Sequence, residues 1–506
     1  ENGADTTERV GALDCRNERD YLVVNNGSGA TATLHVATLI RDPASRPIIV
    51  VASDNYTLGD SSRLLLTNNG ANLLQIGGGN SRGTDKSVAH GMFSATETIY
   101  TRGAQSYLGT LVRYEAADGF VPLHPSNDYV NATDANFPAV NADGNDNVRL
   151  SWRAVHPVNA NSTNQLSGNT TVNSLVFYND NAATDDKSLT LAAPIGSTLT
   201  VKSGMIMASA SPGGVRYYVA LNVSTLSFAN AEGVIAAGWT HYGWINVNSV
   251  MVGTNGLTIT THNQDDEGSV YLNADNRTLK GPITLSGGFE NTGRIVPQHR
   301  YALGDGSNDL FLAGAKLVPW VNDHLTVRSL GGSGIVFSQW NAAGKRINIG
   351  GDGTSSEADT VKLLAGGGIR PGLPDQSGAL VFSDFNNVKL LGGMLEVDLF
   401  STNDYDRLSI AGAGGDTPTL TLGGVSLAVN LAFRPAVGDT FLIVRVSESN
   451  AVVGEFPEGD AMIVSFRGRK YVFGILYNSA LAGGDGNDIV LRCAADIPGG
   501  TVFVAR

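Results

Sequence analysis

The sequence predicts an all-β chain built as a parallel β-solenoid, and three observations carry that expectation. Short apolar–polar alternations recur over most of its length, glycine pairs punctuate them, and charge is sparse. Of 506 residues, 62 are Gly and only 16% are charged, against roughly 25% in an average soluble domain. Gly, Asn, Thr and Val are weak helix formers, and β-branched residues suit pleated strands.

The segments support this in order. TATLHVATL (31–39), SLTL (188–191), TLTV (198–201), GLTITT (256–261) and TLTL (419–422) alternate with period two, as half-buried strands do. RLLLT (63–67) is instead a continuous apolar run. Gly77-Gly78-Gly79, Gly287-Gly288, Gly331-Gly332, Gly350-Gly351, Gly366-Gly367-Gly368, Gly392-Gly393 and Gly423-Gly424 lie between such segments. Glycine accepts the positive φ that tight corners need. No segment sustains a 3.6-residue apolar period beside helix caps, so very little helix is expected. Strands spaced roughly every 8–12 residues also suit sandwiches and propellers. The irregular spacing and the lack of a repeat of about 40 residues oppose a propeller. No Pro-rich linker separates independent sandwiches. Stacked coils that bury one continuous core fit best.

Bulk properties narrow the function classes. A net charge of −13 opposes nucleic acid as a partner, because phosphate binding needs clustered Lys and Arg. The densest basic stretch, Arg467-Gly468-Arg469-Lys470, is too short for such a patch. No run of about 18 apolar residues occurs, so no transmembrane segment is expected. A start at Glu1 without Met is what signal-peptide removal leaves, and what a trimmed sequence would show as well; the expected address is extracellular or cell-surface.

Particular segments resemble the autotransporter-associated β-strand repeat proteins. TTVNSLVF (170–177) followed by SLTLAAPIGSTLTVKSGMI (188–206) looks like that family's strand, Gly turn, strand and Ser-Gly corner. LKGPITLSGGFENTG (279–293), ALGDGSNDLFL (302–312), LTVRSLGGSG (325–334) and RINIGG (346–351) continue the order. LEVDLFSTNDYDRLSI (395–410), PAVGDTFLIV (435–444) and GGDGNDIVL (483–491) look like its closing module. The resemblance implies a right-handed parallel β-helix and a surface passenger, adhesin or scaffold. It transfers no catalytic residue. The expected organisation is an N-terminal solenoid part with insertions (1–180), central repeats (181–393), a closing β module (394–493) and a tail strand for subunit contact (494–506).

Several motifs invite chemistry. Residues 483–491 fit one copy of the calcium-binding β-roll nonapeptide, making Asp485 and Asp488 candidate ligands for calcium, the one candidate cofactor. A Gly-Asp turn is the alternative. Asp185-Asp186, Asp265-Asp266-Glu267 and Asp404 with Asp406 are candidate carboxylate pairs for polysaccharide cleavage, or solvated turn residues. The eight histidines, His35, His90, His124, His156, His241, His262, His299 and His324, show no HxH or HxxxH spacing. Trp239, His241, Tyr242 and Trp244 form an aromatic run that suits either a glycan-binding patch or a buried cap. Glycosylation sequons stand at Asn26, Asn55, Asn131, Asn161, Asn169, Asn222 and Asn276.

The two cysteines, Cys15 and Cys493, stand near opposite ends of the sequence, and no CxxC pattern occurs. Coils of about 20–25 residues, rising about 4.8 Å each, stack into a rod on the order of 100 Å. A disulfide needs Cα atoms within about 7 Å. On a straight rod the two could pair only between subunits, head to tail, and such contacts generate filaments. Free thiols, or an intrachain bridge with one terminus folded back, are the alternatives. The leading expectation is a non-enzymatic structural subunit of a fibre, sheath or S-layer-like coat that self-associates head to tail. An adhesin or glycan-binding module is second, and a polysaccharide-degrading β-helix enzyme third.

Overall fold

The computed structural model describes residues 5–16, 19–26, 30–53, 58–68, 70, 73–77, 84, 86–95, 108–132, 136–151, 162–179, 187–210, 217–238, 243–262, 269–287, 293–321, 323–338, 345–350, 359–372, 376–412, 417–447 and 451–498. The chain is all-β, with no α-helix among these residues. It divides into two compact units, Glu1–Gly304 with Ala313–Lys316, and Asp305–Leu312 with Leu317–Arg506.

In the first unit the chain repeats a circuit of two longer strands and a short one, each pairing in parallel with its counterpart one circuit later. Ser174–Asn179, Met205–Ala210, Gly233–Gly238, Leu257–His262 and Ile283–Ser286 make one sheet. Lys187–Ala192, Tyr217–Asn222, Gly243–Val247, Ser269–Leu272 and Arg294–Pro297 make a second, joined to the first within one continuous 24-stranded sheet. Thr170–Val172, Thr198–Val201, Thr225–Ser227 and Val250–Val252 make a third. The register aligns like with like: Val148, Leu175, Ile206, Ile235, Ile259 and Leu285 form one ladder, and every member is buried. Leu189, Val219, Ile245, Val270 and Ile295 form another on the second sheet. This arrangement, long parallel sheets around an apolar interior, is compatible with a β-solenoid.

Corners are held by side-chain amides and glycines. Asn248 donates to Asn222 Oδ1 at 2.5 Å, and Asn273 donates to Asn248 Oδ1 at 2.6 Å, linking residues 26 and 25 apart in sequence. Gly204 turns with φ +71, and a Cβ there would fall 1.9 Å from the Glu232 carbonyl oxygen, so only glycine fits.

The N-terminal strands form a layer over the first sheet. β1 (Thr6–Cys15), β3 (Ala32–Arg41) and β5 (Ser62–Leu66) pair in parallel. β2 (Arg19–Val23), β4 (Ile48–Ala52) and Met92–Ala95 do the same, followed by antiparallel Leu108–Glu115 and Gly119–Pro122. The run IIVVA of β4 is buried throughout, because both of its faces are covered. Ile49 and Val51 face a core with Leu39, Leu64 and Phe120. Ile48 and Val50 face Val176, Met205, Met207 and Val234 on the outer side of the repeat strands. The N-terminal segment thus lies along the repeats of this unit, which alters the straight-rod assumption made above for Cys15.

The second unit has ladders of the same kind. Leu325, Ile347, Val361, Val388 and Leu420 align on one sheet. Val336, Phe382, Ile410 and Val446 align on another. Parallel pairing reaches Thr440–Val446, beyond which Ala461–Phe466, Arg469–Ser479 and Asp488–Ile497 are antiparallel. Arg467 and Gly468, read above as basic residues, form a two-residue hairpin turn with φ 47 and 76.

Candidate functional site

A cleft of about 500 Å³ opens in the first unit between the loop after β3 and the repeat strands. Its floor is a carboxylate. Glu232 sits just before Gly233–Gly238, and Arg41 ends β3. Arg41 Nη1 lies 2.7 Å from Glu232 Oε2 and Nη2 3.2 Å from Oε1, a two-pronged pairing. His90 Nε2 stands 3.3 Å from Oε2, and its Nδ1 2.9 Å from the Ser203 carbonyl. Arg46 Nη1 lies 3.8 Å from Oε1, and the Thr258 hydroxyl donates to the same oxygen. Burial alone would raise the Glu232 carboxyl, but the Arg41 charge and the His90 and Arg41 hydrogen bonds outweigh it and hold the acid well below its ordinary range. Such a carboxylate neither stores nor releases a proton near neutrality. It works as an anchor: Arg41, Arg46 (to the Asn255 carbonyl, 2.6 Å) and Arg19 (to Thr260 Oγ1, 2.7 Å) fasten the N-terminal layer to the repeats. No motif flags this cluster, because Arg41 and Glu232 are 191 residues apart in sequence.

The predicted carboxylate pair Asp404 and Asp406 separates by environment. Asp404 is exposed, but Asp406 is fully buried, which corrects the expectation of a solvated turn. Its oxygens accept from the Asp398 N–H at 3.0 Å and the Gly378 N–H at 3.1 Å. Burial pushes Asp406 up to about 8, the nearby Asp398 charge adds to this, and the two N–H bonds and Arg370 act against it. Asp398 pairs with Arg370 Nη2 at 2.8 Å and accepts from Asn430 Nδ2 at 2.7 Å. The arrangement sets a carboxyl protonated at neutral pH beside an Arg-paired one, the pattern that general acids use. Asp406, however, has no exposed surface through which to reach a substrate. Asp185, Asp186, Asp265, Asp266 and Glu267 lie outside the described residues.

Asp488 is buried and its two oxygens accept from the N–H groups of Val446 at 2.8 Å and Asp485 at 2.9 Å, while Asp485 is exposed. Burial raises the Asp488 carboxyl against those two bonds. Among the described residues no cluster of three His, Cys, Asp or Glu side chains gathers in metal-binding geometry. Trp239, His241 and Tyr242 lie outside the described residues. Trp244 is half-buried between Tyr218 and Tyr271, with edge-to-face ring separations of 4.8 and 5.8 Å. These two tyrosines belong to neighbouring circuits, so only the register reveals the row. Of the sequons, Asn276 is buried and caps a corner, accepting from the Met251 N–H at 2.7 Å and donating to the Ala302 carbonyl at 2.9 Å. Asn55 and Asn161 lie outside the described residues.

Both thiols are buried and unbridged. Burial, helped by the Asp20 charge, pushes Cys15 up to about 12, and burial raises Cys493 as well. Lys345 is a residue that the sequence did not single out. It is buried, its Nζ has no hydrogen-bond acceptor among the described residues, and the Trp320 ring centroid lies 5.0 Å away. Burial lowers its basicity, and Asp359 partly restores it.

No protein-family model matches this chain, and no curated protein is detectably similar to it.

Proposed function

We propose that this chain is an extracellular structural protein, a right-handed parallel β-helix that serves as a subunit of a surface fibre, sheath or S-layer-like assembly. The supporting observation is where its polar chemistry is spent. Glu232, Asp398 and the Asn222–Asn248–Asn273 ladder each join distant segments of one unit, and each unit has apolar ladders of its own. These are features of a mechanical element. The extracellular address and the handedness rest on the family resemblance. Negative-stain electron microscopy of the purified native protein tests the reading. Ordered filaments or sheets are expected, and isolated particles at every concentration would overturn it.

A second reading, a glycan-binding surface module, is favoured by the row Tyr218–Trp244–Tyr271, since aromatic rings pack on sugar faces. It predicts glycan-array binding that Trp244→Ala removes.

A further inference from the structure

We infer that the free edge of β1 is a docking site for residues 501–506 of a second copy of this chain, added as an extra strand. The inference rests on the self-assembling reading above and names its contact. β1 pairs with β3 along one edge only, and among the described residues no strand lies along the other. Seven of its ten residues are exposed, so both faces are uncovered as well. A strand with unpaired N–H and C=O groups along ten residues is a template for another chain.

The occupant is chosen by complementarity. Residues 501–506, TVFVAR, follow the last described strand, Asp488–Ile497, after Pro498-Gly499-Gly500. Thr501, Val502, Phe503 and Val504 are β-favouring residues, and the segment contains no proline. Gly11 marks the register. A Cβ built on it meets no atom within 4 Å, so its strand position is open space, and an aromatic ring across from a strand glycine covers such a gap. Placing Phe503 opposite Gly11 in a parallel pairing sets Val502 beside Val10 and Arg506 beside Asp14. In the antiparallel pairing Val504 meets Val10 and Arg506 meets Glu8. Either direction matches apolar with apolar and sets the cation beside a carboxylate, Glu8 in the antiparallel pairing and, in the parallel one, Asp14, which Arg16 already holds at 2.6 Å.

The test uses the intact chain and a synthetic peptide of residues 497–506. The peptide should bind and inhibit assembly, and Phe503→Asp in the chain should raise the concentration needed for assembly at least tenfold. Val10→Pro and, as a milder change, Gly11→Glu should abolish peptide binding while circular dichroism stays unchanged. Val10→Cys mixed with Val502→Cys or Val504→Cys should give a dimer on oxidation, the productive pair reporting the direction. Peptide binding unaffected by both β1 variants, or no mixed dimer from either pair of cysteine variants on oxidation, would overturn the inference. Polymers that form normally with Phe503→Asp would overturn it and leave the structural reading standing. Loss of polymers from the unaltered chain, with peptide binding retained, would do the reverse.

Discussion

Arg41 holds Glu232 with two nitrogens, at 2.7 and 3.2 Å, across 191 residues of sequence. The guanidinium belongs to the N-terminal layer and the carboxylate to the repeat strands, so this pair, with His90 and Arg46, determines how the layer seats. Removing Arg41 takes away the carboxylate's two-pronged partner and leaves it only Arg46 at 3.8 Å, His90 and the Thr258 hydroxyl. Arg41→Ala should cost about 3–5 kcal/mol in urea unfolding at neutral pH. A loss under about 1 kcal/mol would show the pair to be incidental.

The same carboxylate sets an acid limit. Glu232 is depressed in the folded state, so its contribution is present above its ordinary value of 4.5 and is lost as pH falls through the lower folded value. Thermal unfolding of the native chain should weaken on acidification below about pH 4.5. Glu232→Gln should be less stable at pH 7 and should flatten that acid limb. An unchanged limb in the variant would assign the acid sensitivity elsewhere.

Asp406 acts with the opposite sign. Its folded value of about 8 lies above the ordinary 3.8, so stability from this group is full below 3.8 and declines as pH rises through 8. The slope approaches about 1.4 kcal/mol per pH unit. Asp406→Asn loses one acceptor and should be weaker at pH 5. The deficit should narrow or reverse by pH 9, where the native residue is an ion buried beside Asp398. Parallel pH profiles for the two proteins would refute this placement.

Ile235 sits mid-ladder between Ile206 and Ile259, fully buried. Ile235→Ala should cost about 2–5 kcal/mol in urea unfolding. Asn248→Ala, in the exposed amide ladder, should cost about 1 kcal/mol. Equal costs would mean that the corners hold the circuits together as strongly as the interior does.

The thiols give a chemical check. Cys15 and Cys493 are buried with raised values, and the thiolate is the reactive form. Iodoacetamide should modify neither at pH 8 until denaturant is added. Rapid labelling of either in the native protein would show a conformation in which an intersubunit bridge can form.

The β-rich character, the glycine corners and the scarcity of helix were legible because they are local properties: period-two alternation and positive-φ residues act within a few positions. The alternation in SLTL and TLTV matches the observed burial, and IIVVA, apolar at every position, is buried on both sides. The carboxylate motifs were read less well, because turn-like sequence around Asp406 says nothing of the strands that cover it. The aromatic run pointed to Trp244 but not to Tyr218 or Tyr271, which share its surface only through parallel register.

By itself the sequence determined that this chain makes short, glycine-bounded strands with little charge to spare, since backbone and side-chain preferences are written residue by residue. Tertiary structure alone decided that those strands pair in parallel with like residues aligned, that the N-terminal strands lie over the repeats, that Asp406 and Lys345 are buried, and that Glu232 meets Arg41 and His90. Those outcomes depend on which distant segments exclude water from one another, and burial and ionic pairing arise only once they meet.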